Sequence, residues 1–383
     1  MRVLLIHPHD IFSRSEPWTS RIVNIGKELK KKGHEVRLIY FPLSGEEMEW
    51  YEIPFPAIPL SRKRGWWILA LNTLRLLRWV GWAEVVHFQK CFHHSALPAV
   101  ISAWLLGKPL HYDWDDWEYQ IYHYRKPPSR LVGKYLWIVE RLLPILVETV
   151  SVSSSALRQL AMDWGVKEDR IYSAPVGADI ETFKPDDSGR WVRERYGISK
   201  ELVLYMGQLH GGQYAELFIE SAALLKSRYP EVNFMIVGGG YRLRELREYS
   251  EKLKAHVIFT GSVPHEEIPR YINACDIAVA CFEENPITRC KSPLKIAEYM
   301  ACGKPVVASD VGEVRGMLGE AGLLVPPGDS QALAEGIEKL LLNPSLRREL
   351  GRKGRERAEK IYNWANITEN LLRAYRKALY GKE

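Results

Sequence analysis

Lys295 and Glu298 stand three residues apart within residues 292–310, and on a helix that spacing puts them on one face. A cation beside the free amides of a helix start suits a phosphate, and a carboxylate one turn deeper suits the hydroxyls of a sugar. The flanking residues argue for that helix. Ser292 is a good N-cap, Pro293 falls at the first helical position, Gly303 can take the left-handed stop, and Pro305 lies just beyond. Val306, Val307 and Ala308 then read as a short strand of the buried, parallel type. An ordinary surface ion pair explains the same two residues equally well, because such pairs are common and weakly stabilising.

A second group lies at residues 111–117, where Asp113, Asp115 and Asp116 follow an apolar strand pattern. Oxygen ligands at this spacing admit a metal ion, an acid–base role, or no more than an acidic loop with aromatic packing. His87 leaves another strand, where a satisfied histidine is commoner than a catalyst. Residues 61–67 are basic and end in Trp66 and Trp67, leading into a helical pattern with Arg75, Arg78, Trp79 and Trp82. That mixture fits a helix resting on anionic lipid, or equally an edge helix with its arginines in solvent.

These groups must be positioned by a chain of 383 residues, which is too long for one ordinary core and suits two domains. With 46% hydrophobic and 26% charged residues the composition is globular, and a net charge of +6 permits an anionic partner without demanding one. No apolar run approaches the ~20 residues of a membrane-spanning helix. The start, residues 1–8, has too short an apolar core for a signal peptide. Five cysteines without a Cys-x-x-Cys pair argue against disulfides and zinc, and for the cytoplasm.

Strands are expected at 3–6, 35–40, 84–88, 109–112, 149–152 and 170–173, and again at 202–206, 232–237, 257–260, 277–280, 305–308 and 322–325. Helical patterns separate them, 176–200 reads as a linker, and 346–379 reads as a terminal helical segment. The expected class is α/β, with two Rossmann-like doubly wound domains at 1–175 and 176–360 and a helix at 361–383 packing back on the first. Ligands are expected in a central cleft between facing strand ends.

Seven pieces of the second half follow one order: 174–179 with 183–185, 205–209, 236–240, 259–263, 274–276, 292–310 and 322–329. In them the chain resembles glycosyltransferase family 4, retaining enzymes of the two-domain GT-B fold. The first half is similar more loosely, through 33–36, 84–87 and Glu140-Arg141 ahead of 150–153. The resemblance implies transfer of a sugar from a nucleoside-diphosphate donor to a hydroxyl of a glycan or lipid-linked acceptor, as in polysaccharide biosynthesis. It implies no cofactor, no metal and no nucleic acid. Glu298 would hold the donor ribose, and the amides of Leu294 and Lys295 would meet the diphosphate. Gly207, Gly238, Gly239 and the backbone near Val263 would frame the nucleotide. Asp115 falls about where relatives carry a histidine near the reacting sugar, with His87, Asp113 and Asp116 on the acceptor side. Because many members act on lipid-linked acceptors, the helix near 61–82 could meet an anionic surface at the inner face of the membrane.

The chain also departs from the family pattern. Gln208 and Gln213 stand where a basic residue and a lysine meet the diphosphate, and Cys290 replaces a glutamate eight residues before Glu298. Lys295, with Arg289 and Lys291 behind it, is then the cation left for the departing diphosphate, and joins Asp115 as a catalytic candidate. The glycine turn of the family falls near Glu16-Pro17. Two readings stay open: a working transferase, or a binding or assembly protein that kept the site and lost turnover.

Overall fold

The computed structural model describes residues 1–12, 17–43, 53–63, 65–125, 129–210 and 214–381. The chain divides into two compact units, Met1–Val176 with Cys290–Ser292 and Trp364–Glu383, and Gly177–Arg289 with Pro293–Asn363.

The first unit is built on β1 (Arg2–Ile6), β2 (Glu35–Tyr40), β3 (Ala57–Pro59), β4 (Val85–Gln89), β5 (Leu110–Trp114), β6 (Thr149–Val152) and β7 (Ile171–Ser173). They form one parallel sheet in the order β3-β2-β1-β4-β5-β6-β7. Its helices are α1 (Pro17–Lys31), α2 (Trp66–Trp82), α3 (Ala96–Leu105), α4 (Glu118–Arg125), α5 (Arg130–Leu146) and α6 (Ser155–Asp163). Helices cover both faces, so β4 and β5 are buried along their whole length. Ile22, Ile25 and Leu29 of α1 are fully buried, and Gly33 stops the chain beyond it at φ 82°. The strand order reverses between β1 and β4, which makes the loops leaving those strands the natural binding edge. The sequence pattern misses β3, three edge residues ending in a proline, because nothing that short alternates.

The second unit holds β8 (Leu202–Met206), β9 (Asn233–Val237), β10 (Val257–Phe259), β11 (Ile277–Ala280), β12 (Val306–Ser309) and β13 (Gly322–Val325), parallel in the order β10-β9-β8-β11-β12-β13. Here the reversal lies between β8 and β11. The helices are α7 (Gly189–Tyr196), α8 (Ala215–Lys226), α9 (Leu243–Lys252), α10 (Ile268–Ala274), α11 (Pro286–Cys290), α12 (Leu294–Ala301), α13 (Val314–Leu318), α14 (Ser330–Leu341) and α15 (Pro344–Lys360).

Two local expectations are corrected, and a third is refined. Residues 176–200 are not a free linker, since α7 packs so tightly that a Cβ on Gly189 would lie 2.3 Å from the Ala274 nitrogen. The terminal helical segment is two helices, α15 and α16 (Trp364–Tyr380). Asn363 ends the first by donating from Nδ2 to the carbonyls of Ala358 and Glu359, and the Tyr362 carbonyl accepts from the Ala178 amide at 2.8 Å. Finally, the N-cap position of α12 falls on Pro293, while Ser292 Oγ accepts from the Val176 amide at 3.2 Å.

Candidate functional site

The loops leaving β8, β9 and β10 touch backbone to backbone. The Gly207 amide donates to the Val237 carbonyl at 3.0 Å, Leu209 to Gly239 at 2.7 Å, and Gly238 to Gly261 at 3.1 Å. A Cβ on Gly238 would lie 1.9 Å from the Gly207 oxygen, and one on Gly239 would lie 2.1 Å from Ser262 Oγ. Only glycine fits such an approach, and Gly238 also sits at φ 141°.

α12 abuts this edge. Its Tyr299 oxygen accepts from the Met206 amide at 2.8 Å, tying the helix to the end of β8. Lys295 Nζ lies 4.3 Å over the Tyr205 ring, and a Cβ on Gly207 would come within 2.9 Å of it. Glu298, one turn on, is buried, and burial pushes its pKa up to about 8 against the opposing pull of Lys295. Gly207, Gly238, Gly239 and Lys295 therefore meet at one strand edge, with Leu294 and Glu298 on the same helix as Lys295. Gln208 and Val263 lie half-buried in the loops after β8 and β10. Gln213 lies outside the described residues, as does Glu16 of the expected glycine turn.

In the first unit the acidic run splits by depth. Asp113 is completely buried and receives Arg21 in two bonds of 2.7 Å, Gln89 Nε2 at 3.0 Å and Ser151 Oγ at 2.6 Å. Burial alone would raise its pKa, but Arg21 outweighs that and holds it well below the usual carboxylate range. β4 runs on past His87, which is buried within the strand and bonded through Nδ1 to the Tyr375 hydroxyl at 2.7 Å. Asp113 and His87 are thus buried within the strands. β5 extends two residues beyond the apolar pattern, which takes Asp113 into the sheet.

Asp115 and Asp116 lie past the strand end around a cation missed in the sequence. Lys90 Nζ is 2.8 Å from Asp115, 2.8 Å from Asp116 and 2.7 Å from Glu118, with its side chain 1% exposed. It lies 4.5 Å over the Trp18 ring, on a backbone at φ 63°, unusual for a non-glycine residue. Burial would lower the lysine's pKa, but the three carboxylates raise it well above normal. Asp115 goes the other way: burial, opposed by Lys90, raises it to about 7. Asp116 is lowered, because Lys90 and Lys291 outweigh its burial. No group of His, Cys, Asp or Glu that could hold a metal ion occurs among the described residues. The signal for Lys90 was its position directly after β4, at the switch-point edge.

Residues 200–343 match the family described as "Glycosyl transferases group 1", and residues 19–182 match "Glycosyltransferase Family 4". The chain is 26% identical to the alpha-D-kanosaminyltransferase of Streptomyces kanamyceticus, over 97% of this chain and 95% of that one. It is 33% identical to a D-inositol 3-phosphate glycosyltransferase of Acidothermus cellulolyticus, but over only 58% of this chain and 51% of the relative. Among solved structures, Anabaena HepE with UDP and glucose superposes at a TM-score of 0.77, with 18% identity over 97% of this chain and 98% of that one. Two parallel-sheet α/β units of this kind define the GT-B class of fold. The chain belongs to the group 1, family 4-like glycosyltransferases, and is an enzyme of that class.

Proposed function

We propose that this glycosyltransferase moves a hexosyl group from a nucleoside-diphosphate donor to a hydroxyl of a glycan or lipid-linked acceptor, with retention at the anomeric carbon. The observation that carries this reading is Lys295 Nζ lying against Gly207 at the end of β8, with Glu298 one turn further along the same helix. Glycines there let a diphosphate approach the backbone, and the amino end of α12 with Lys295 Nζ offsets the charge that grows as the diphosphate leaves. Gln208 and Gln213 add hydrogen bonds without charge, so Lys295 carries the electrostatic work that relatives share among more cations. Glu298 grips the ribose hydroxyls as a carboxylate. HepE was solved with UDP, which makes UDP-sugars the first donors to try.

On the acceptor side we assign Asp115. A carboxyl titrating near 7 is matched to taking a proton at neutral pH. Asp116 belongs with it as a partner of Lys90 rather than as a second base. A lipid-linked acceptor would bring the chain to an anionic membrane surface, with α2 as the helix first indicated.

The test is a thermal-shift panel of nucleotide sugars, followed by product analysis with the donor that stabilises most. The expected result is stabilisation by one donor class, abolished in Glu298→Ala, and release of diphosphate with a product of the donor's anomeric configuration. Stabilisation without diphosphate release would favour the binding-protein reading, and an inverted product would remove retention.

A further inference from the structure

We propose that Lys90 and Glu140 are positioning residues for Asp115: they fix its loop from opposite sides and leave its carboxyl in excess of the cation beside it. The catalytic meaning of this placing rests on the reading of Asp115 as proton acceptor; the placing itself does not.

The loop at residues 115–117 is held on both flanks by one side chain. Before it, Trp114 donates from Nε1 to Glu140 Oε1 at 2.9 Å. After it, the amides of Glu118 and Tyr119 donate to the two oxygens of the same carboxyl, each at 2.8 Å. Glu140, buried on α5, thus pins the end of β5 to the first turn of α4. Between these anchors Ser153 Oγ donates to the Asp115 carbonyl at 2.7 Å. The pinned turn delivers the Glu118 carboxylate to Lys90 Nζ at 2.7 Å, where Asp115 and Asp116 arrive at 2.8 Å. Trp18 lies under the ammonium on its remaining side, 4.5 Å away.

The charges in this cluster do not balance. Three carboxylates lie on one ammonium, and Arg21 of α1 is engaged by Asp113 in two bonds of 2.7 Å. Asp116 also faces Lys291, and Glu118 faces Glu140. Asp115 has two anions for neighbours, Asp113 and Asp116, against the pull of Lys90 and the more distant Arg21. Its side chain is 10% exposed, against 28% for Asp116, so water screens it less. An uncompensated buried charge is costly, and one proton held on Asp115 removes it. A carboxyl pushed up to about 7 agrees with that placing. Lys90 keeps Asp116 and Glu118 as partners in either state of Asp115, so a proton can come and go without the loop moving.

The test is an NMR titration of the full chain with isotope-labelled aspartate and glutamate carboxyls, Asp115→Asn and Glu118→Gln identifying their signals. It needs neither donor nor acceptor. The expected result is an Asp115 carboxyl that titrates near neutral pH. Asp116→Asn removes an anion and should lower that midpoint by about one pH unit or more; Lys90→Met removes the cation and should raise it comparably. Lys90→Arg keeps the charge and should fall between the two, and with Asp116→Asn it carries the test should Lys90→Met fail to fold. A merely structural lysine would give no shifts of opposite sign. Glu140→Gln puts an amide donor where an oxygen now accepts, so hydrogen exchange at the Glu118 and Tyr119 amides should quicken by roughly tenfold or more. Three results would overturn the proposal: Glu118 titrating near neutral pH in place of Asp115, a midpoint that these changes leave still or move one way only, or unchanged exchange in Glu140→Gln. Diphosphate release that survives Asp115→Asn, with the titration as expected, would instead remove Asp115 as proton acceptor and leave its placing supported.

Discussion

Burial pushes the Glu298 carboxyl up to about 8, so donor binding through it, as proposed, should depend on pH. In the proposed reading the ribose hydroxyls bind the carboxylate, whereas burial favours the carboxylic acid in the empty site at neutral pH. Affinity should therefore rise as pH climbs from 6 towards 8, by up to about tenfold per unit, and level off above. Calorimetric titrations across that range check it, and Glu298→Gln should bind more weakly and lose the slope. The same carboxyl bears on the empty protein. A folded pKa above the unfolded value gives stability that is present in acid and lost as pH rises from about 4.5 through 8. Glu298→Gln should then melt higher than wild type at pH 8 and lose that advantage near pH 4. At this scale the sharing of one helix by Lys295 and Glu298 was legible because their spacing is local. Lys90 was not, because its partners Asp115, Asp116 and Glu118 arrive from another loop, and their meeting is decided by β4 pairing with β5.

Elements set the loops that carry these residues. Gly238→Ala would drive a Cβ into the Gly207 carbonyl at a φ that L-residues avoid, so the β8 and β9 loops must part. A loss of roughly 2–4 kcal/mol is expected in urea melts, with donor binding abolished. Lys90→Met tests the other edge. Removing the cation leaves three carboxylates facing each other, with an expected loss of about 3–5 kcal/mol at pH 8. Without Lys90 those carboxyls titrate higher in the folded state, which favours folding in acid, so the deficit should narrow towards about pH 5. Chemical denaturation at the two pH values reads it directly. The strands were legible as apolar runs bounded by turn residues, since burial on both faces of a parallel sheet demands them. β3 escaped by being short, and α7 by its glycine and charged residues, whose helical reason is the close packing of Gly189 on Ala274.

At the scale of the molecule, the chain returns after its second unit to finish the first. Ile367, Leu371 and Tyr375 of α16 are buried there, Tyr375 holding His87, while α16 packs on α1 and β6. Ending the chain at residue 363 should strip that support and lower the melting temperature of the first unit, with the second still binding nucleotide. The two-domain architecture was legible in the doubled alternation of strand and helix. Asn363 ends α15 through its side chain on the preceding carbonyls.

The central claim is that Lys295, delivered by α12 to the glycine at the end of β8, binds the linked phosphates of the donor. The most direct measurement is calorimetric titration of UDP, GDP and their nucleosides into wild type and Lys295→Met. The account predicts that the variant loses about 10- to 100-fold in affinity for the preferred diphosphate and little for its nucleoside. Equal losses for both, or none, would contradict it.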